Sequence, residues 1–181
     1  MSRNKNKKTK YGFTLIELLI VIAIIGLLAS IVLVSLSSAR QKSRISKRAA
    51  DLKQIQTALE LYYNDNAGYP NPGWAWHSQC NAWGPYSSAN VIPGLVPGYI
   101  ANMPADPSML PAANQNCYLY LSNGADYKFM AYNIADMQPA DLAKVPSFVD
   151  PIRDSGYAAP PCGGGDGTMS MAVYTVGGRC W

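Results

Sequence analysis

One histidine, His77, stands in 181 residues, and no cysteine precedes Cys80. With a single imidazole, any His-based dyad with Ser or Cys would rest on that one residue. The four cysteines, Cys80, Cys117, Cys162 and Cys180, form no CxxC or zinc-ribbon spacing, which argues against a thiolate metal site. Glycines 163–165 and 167 surround Asp166, but no P-loop or dinucleotide pattern is present. No catalytic constellation emerges, and the chain reads as a non-enzyme. Acid is also scarce at the N-terminal end: Glu17 is the only carboxylate side chain in the first 36 residues.

What is there is a long apolar run. From Phe13 to Leu36 every residue except Glu17 is apolar or small, 24 positions in all. At about 1.5 Å per residue this is enough to span a hydrocarbon core of roughly 30 Å. A secretory signal peptide has a shorter apolar region, about 7–15 residues, although Ser37-Ser38-Ala39 could mimic its cleavage site. A plain single-pass anchor accounts for the length but not for an intramembrane acid, which is expensive and marks function by default. Ahead of the run lies a polar leader with Arg3, Lys5, Lys7, Lys8 and Lys10, ending at Gly12.

The string Gly12-Phe13-Thr14-Leu15-Ile16-Glu17 resembles the processing site of type IV prepilins and the pseudopilins of type II secretion. The resemblance implies cleavage after Gly12 by a membrane-embedded prepilin peptidase, N-methylation of Phe13, and a role for Glu17 in assembling subunits into a filament. Electrostatics supports the last point independently. An amine created at Phe13 could pair with Glu17 of a neighbouring subunit, where either charge alone would be costly. Major pseudopilins place calcium in a C-terminal loop; Asp150, Asp154 and Asp166 could offer carboxylates, but their spacing matches no EF-hand and a solvated turn is preferred. No cofactor is expected. Many relatives carry a helix-bending proline about twenty residues into the mature chain, whereas this chain reads Ile31-Val32-Leu33-Val34-Ser35 there.

Charge is unevenly placed. Of 15 Lys+Arg, five lie in residues 1–12, leaving ten against 11 Asp+Glu, so nucleic-acid binding by bulk charge is not supported for a cleaved form. A second basic cluster, Arg40, Lys42, Arg44, Lys47 and Arg48, follows the run. It reads either as a solvated helix segment or as an attraction for anionic headgroups and acidic neighbours. Both flanks then carry five positives, so the positive-inside rule does not choose an orientation. The resemblance and the cysteines place the N-terminus in the cytoplasm and the rest outside it. An even cysteine number beyond an export segment points to disulfides. Three pairings are open; Cys80 with Cys117 and Cys162 with Cys180 is preferred because both close local loops, and free buried thiols are the alternative.

Four segments follow: a basic leader (1–12), a transmembrane and assembly half-helix (13–36), an amphipathic half-helix (37–66) and a globular domain (67–181). Ile45, Ala49, Leu52, Ile55, Leu59 and Tyr62 recur in steps of three or four, extending one helix from about residue 14 to 65. Asn64 to Pro70 supplies stop signals, with Gly68 the expected left-handed terminator. Residues 69–116 read as a long loop crowded by Trp74, Trp76, His77, Trp83 and Tyr86, a local mini-core around Cys80 in preference to a sugar-binding surface. Tyr118–Leu121 and Tyr127–Tyr132 form a hairpin, residues 139–143 a short helix, and Met169–Val176 a further strand. The expected fold is α+β: a long N-terminal helix packed on a small antiparallel β-sheet, the arrangement pilins share.

Two functions compete. The first is a structural subunit of a type IV pilus-like filament; the alternative is a pseudopilin of a type II secretion system. A membrane-anchored enzyme or sugar-binding protein is the outsider. The resemblance implies as partners further copies of the chain, the prepilin peptidase, the membrane and an assembly machine with its ATPase. The extra cysteines and the lack of a well-formed calcium loop favour the pilus subunit.

Overall fold

Helix α1 (Leu15–Asn66) runs for 52 residues in the computed structural model, which describes residues 12–84, 86–153, 162 and 168–181. The chain divides into two compact units, Met1–Arg40 and Gln41–Trp181. In the first, every described side chain is exposed. It contains no Pro within the helix, and its Leu, Ile and Ala content sustains helix without a tertiary partner.

The second unit begins at Gln41, and the amphipathic half of α1 is part of its core. Ile45, Leu52, Ile55, Ala58 and Leu59 are buried at helical spacing, with Ala49 and Tyr62 packed against them. They cover a four-stranded antiparallel sheet of order β1-β2-β3-β4: His77–Ser78, Cys117–Ser122, Tyr127–Tyr132 and Met171–Tyr174. The expected hairpin is therefore present, with Tyr120 opposite Phe129. The expected last strand is shorter than residues 169–176, and the short helix, α2, spans Pro139–Leu142.

Alternation assigns the two faces of the sheet. Tyr118, Tyr120, Tyr127, Phe129, Ala131, Met171 and Val173 join the α1 core. Cys117, Leu119, Met130 and Ala172 point the other way into a second cluster, closed by Cys80, Trp76, Trp83, Tyr132 and Tyr174. The aromatic loop is thus a lid on the sheet's outer face. Its remainder contributes Val91, Ile92, Leu95, Ile100 and Met103 to the α1 core.

One terminator differs from expectation. Ala67, with φ +54°, takes the left-handed position, and its N–H donates to Tyr63 O at 2.8 Å. Gly68 answers a different need: a Cβ there would stand 3.2 Å from Gly124 O, close to the β2–β3 turn. Tyr69 N–H then donates to that same oxygen at 2.7 Å, tying the helix exit to the hairpin.

Candidate functional site

The helix opens on a reciprocal cap. Thr14 N–H and the Thr14 hydroxyl both donate to Glu17 Oε2 at 2.8 Å, and Glu17 N–H donates to Thr14 Oγ1 at 3.2 Å. This is the Thr-x-x-Glu capping box, which satisfies main-chain donors at a helix start. The signal was in the sequence, a Thr three residues before a Glu at the head of an apolar run, but the membrane setting drew attention to Glu17 alone. The carboxylate therefore has a local partner within its own subunit. Gly12 and Phe13 precede the cap, and Phe13 is 88% exposed.

From Leu15 to Leu36 the first unit presents apolar side chains on all sides: Leu15, Ile16, Leu18, Leu19, Ile20, Ile22, Ile24 and Leu27 are each more than half exposed. α1 is long and apolar enough to cross a membrane. A helix hydrophobic all round requires an apolar surrounding; nothing within this unit supplies one.

The basic cluster behaves differently from either sequence reading. Arg48 is fully buried, donating from Nε to Asp106 Oδ2 at 2.6 Å and from Nη2 to Asp106 Oδ1 at 3.0 Å and Ser108 Oγ at 2.8 Å. Burial works against its charge, but the bonds and charge of Asp106, joined by Asp136, outweigh that and raise its pKa. Arg44 pairs with Asp136, and Lys47 with Asp51 at 2.7 Å. Asp51 also accepts from the buried Tyr118 hydroxyl at 2.7 Å. Burial first, and then this bond, push the Tyr118 pKa well up. Three of the five cations are thus engaged within the head, leaving Arg40 and Lys42 exposed. Partners 58 and more residues away in sequence could not be read from the helix itself.

The cysteines are joined as Cys80–Cys117 and Cys162–Cys180, and no free cysteine is present among the described residues. The first bridge ties β2 to the aromatic loop. The His77 ring stacks on Tyr86, with ring centroids 3.8 Å apart, and Nδ1 faces Asn90 O at 3.3 Å. Trp74 stays 62% exposed beside Trp181, with ring centroids 5.0 Å apart.

Of the three acids named for calcium, only Asp150 is among the described residues. Asp154 and Asp166 lie outside the described residues, as do glycines 163–165 and 167. Asp150 is fully buried and faces Lys128 Nζ at 2.7 Å and the Ser170 hydroxyl at 3.0 Å. Among the described residues no group of three or more His, Cys, Asp or Glu could hold a metal ion. The Asp150 carboxylate is thus occupied by a lysine ammonium and a hydroxyl.

Comparison with known proteins bears on the two competing functions. Residues 7–33 match the family model of the prokaryotic N-terminal methylation motif. The chain is 35% identical to type II secretion system core protein G of Escherichia coli K12 over 125 residues, covering 64% of this chain and 81% of that protein. It is 32% identical to the Vibrio cholerae protein of the same name, over 66% of this chain and 76% of that one. Its likeness to the Pseudomonas aeruginosa protein is 28%, over 71% and 84% respectively. No solved structure matches. A methylation motif at the head of an exposed apolar helix, and identity reaching well into the globular unit, agree: the chain belongs to the type II secretion system core protein G family of pseudopilins.

Proposed function

We propose that the chain is the pseudopilin of a type II secretion system, a subunit that polymerises through residues 13–36 into a periplasmic filament. The pilus-subunit reading favoured by the sequence gives way to its alternative, because the similar proteins named above are core protein G of secretion systems. The observation that carries the reading is the apolar stretch behind Gly12-Phe13, exposed on every side. Such a surface needs lipid before assembly and other copies of itself afterwards.

The sequence of events is the one the family resemblance implies for these residues. The prepilin motif and the paired cysteines, not the balanced flanking charges, support an N-terminus on the cytoplasmic side and the disulfide-bonded head outside. A prepilin peptidase cuts after Gly12 and methylates the new amine at Phe13. Glu17, held by Thr14 in the free subunit, then meets the Phe13 amine of a neighbour, trading neutral donors for a charge-assisted partner. An ATPase of the assembly machinery supplies the work of extraction. The role is structural and draws on no catalytic group.

Mass spectrometry of the mature protein tests the processing step: the expected first residue is N-methylated Phe13, and a chain starting at Met1 or near Arg40 would refute it. Glu17→Ala should leave cleavage largely intact while blocking incorporation beside wild-type subunits; normal filaments from that variant would remove the assembly role. Deleting the gene should abolish protein export and leave surface fibres unchanged. The reverse pattern would restore the pilus reading.

A further inference from the structure

Lys128 on β3 lies on the outer face of the sheet, yet none of its surface reaches solvent. Its Nζ donates to Asp150 Oδ1 at 2.7 Å, to the main-chain oxygen of Trp181 at 2.9 Å and to that of Arg179 at 3.3 Å. Asp150 also accepts from Ser170 Oγ at 3.0 Å and from Ile152 N–H at 3.2 Å. Arg153 Nη1 donates to the same Trp181 oxygen at 2.7 Å and stands 3.5 Å from Asp150 Oδ2. The Tyr174 ring covers the ammonium, with its centroid 5.8 Å away. One cation thus gathers a strand, the Asp150 turn, the entry to β4 and residues 179–181, beside the Cys162–Cys180 bridge.

Among the described residues Nζ meets oxygen atoms, a carboxylate and two main-chain carbonyls. That is the chemistry a hard divalent cation such as calcium selects, at shorter distances of about 2.3–2.6 Å. An ammonium offers three N–H donors and one positive charge, which suits one carboxylate and two carbonyls at hydrogen-bond length. A buried ion pair adds little net stability over an apolar filling, so its value lies in direction: it selects one path for the last residues.

We propose that Lys128 is the resident cation of the C-terminal segment, an internal ammonium that does the structural work a bound divalent ion would otherwise do. The head then folds and holds its C-terminal path without calcium. This inference concerns the head alone, so its test is separate from that of filament assembly.

Thermal melts of the full-length chain in detergent, in EDTA and in millimolar calcium, decide the first part. The two midpoints should agree within about 1 °C, since an ion that does not bind cannot shift the equilibrium. A calcium-dependent rise of several degrees in the wild type would overturn the proposal. Lys128→Ala supplies the second part. Its midpoint should fall by roughly 10 °C, as expected when one member of a buried pair is removed. Calcium or ethylammonium should restore part of the loss, and Lys128→Ala/Asp150→Asn should not respond. An unchanged midpoint in Lys128→Ala, or a loss that neither cation restores, would refute the oxygen cage. If Lys128→Ala does not fold, the wild-type comparison decides alone.

Discussion

The two parts of α1 obey the same helical geometry and solve opposite problems. Residues 15–36 carry apolar side chains on every side, and none of those described is buried. Residues 41–66 carry an apolar stripe of which Ile45, Leu52, Ile55, Ala58 and Leu59 are buried, and even take an arginine inside. In the second case the partner is the sheet, folded from the same chain, so stability can be measured in one molecule. In the first no partner lies within the unit; under the proposed function it is a membrane or another subunit, so substitutions there should be silent until assembly is assayed.

The largest expected effect breaks the buried charge network. Arg48→Ala leaves Asp106 buried without its cation and should cost the head about 3–5 kcal/mol in chemical denaturation. A loss under one kcal/mol would mean that Asp106 finds water in the folded state. Leu52→Ala, at a fully buried site, should cost about 2–5 kcal/mol. Leu27→Ala, 67% exposed, should leave the head's unfolding midpoint unchanged and act only on membrane retention or filament yield. Equal melting losses from both leucines would erase the distinction between the two parts. Next comes the covalent staple: replacing Cys80 and Cys117 together by Ser opens a loop of 37 residues and should cost about 2–4 kcal/mol under oxidising conditions. Under strong reduction the variant and the wild type should converge.

Local signals were legible and distant ones were not. Gly12, Phe13 and Glu17 form a contiguous motif, and the stripe from Ile45 to Tyr62 repeats with the helical period, so both could be read directly. Arg48 breaks that stripe chemically; its acids arrive from loops at Asp106 and Asp136, which no window on the helix contains. Val91, Ile92 and Leu95 pack on α1 from a segment without periodicity, and so read as loop. Lys128 lay unremarked within the second strand of the hairpin. A window on the strand could not reveal that Asp150 and residues 179–181 meet its ammonium. The left-handed residue fell on Ala67 and not Gly68, because the glycine was needed one step later for close approach to Gly124.

The smallest predicted effect lies where α1 leaves the core. The Tyr69 hydroxyl donates to the Glu60 carboxylate at 3.2 Å, and its ring meets Tyr127 at 4.6 Å. Burial, followed by the Glu60 charge, pushes its pKa from 10.0 up to about 12. A tyrosine whose folded pKa is raised contributes stability that is complete below its unfolded pKa. That contribution drains away as pH climbs towards the folded value, because the unfolded chain releases its proton first. The head's midpoint should therefore decline between about pH 10 and pH 12, with Tyr118, Tyr120 and Tyr127, all raised chiefly by burial, acting in the same direction. Tyr69→Phe should make that decline shallower while changing little at neutral pH. Exposed residues 13–36 contain no tyrosine, so substitutions there should leave the alkaline profile unchanged. A profile that Tyr69→Phe does not alter would show that Glu60 and Tyr69 are uncoupled, and that the helix exit is held by the Tyr69 N–H bond to Gly124 alone.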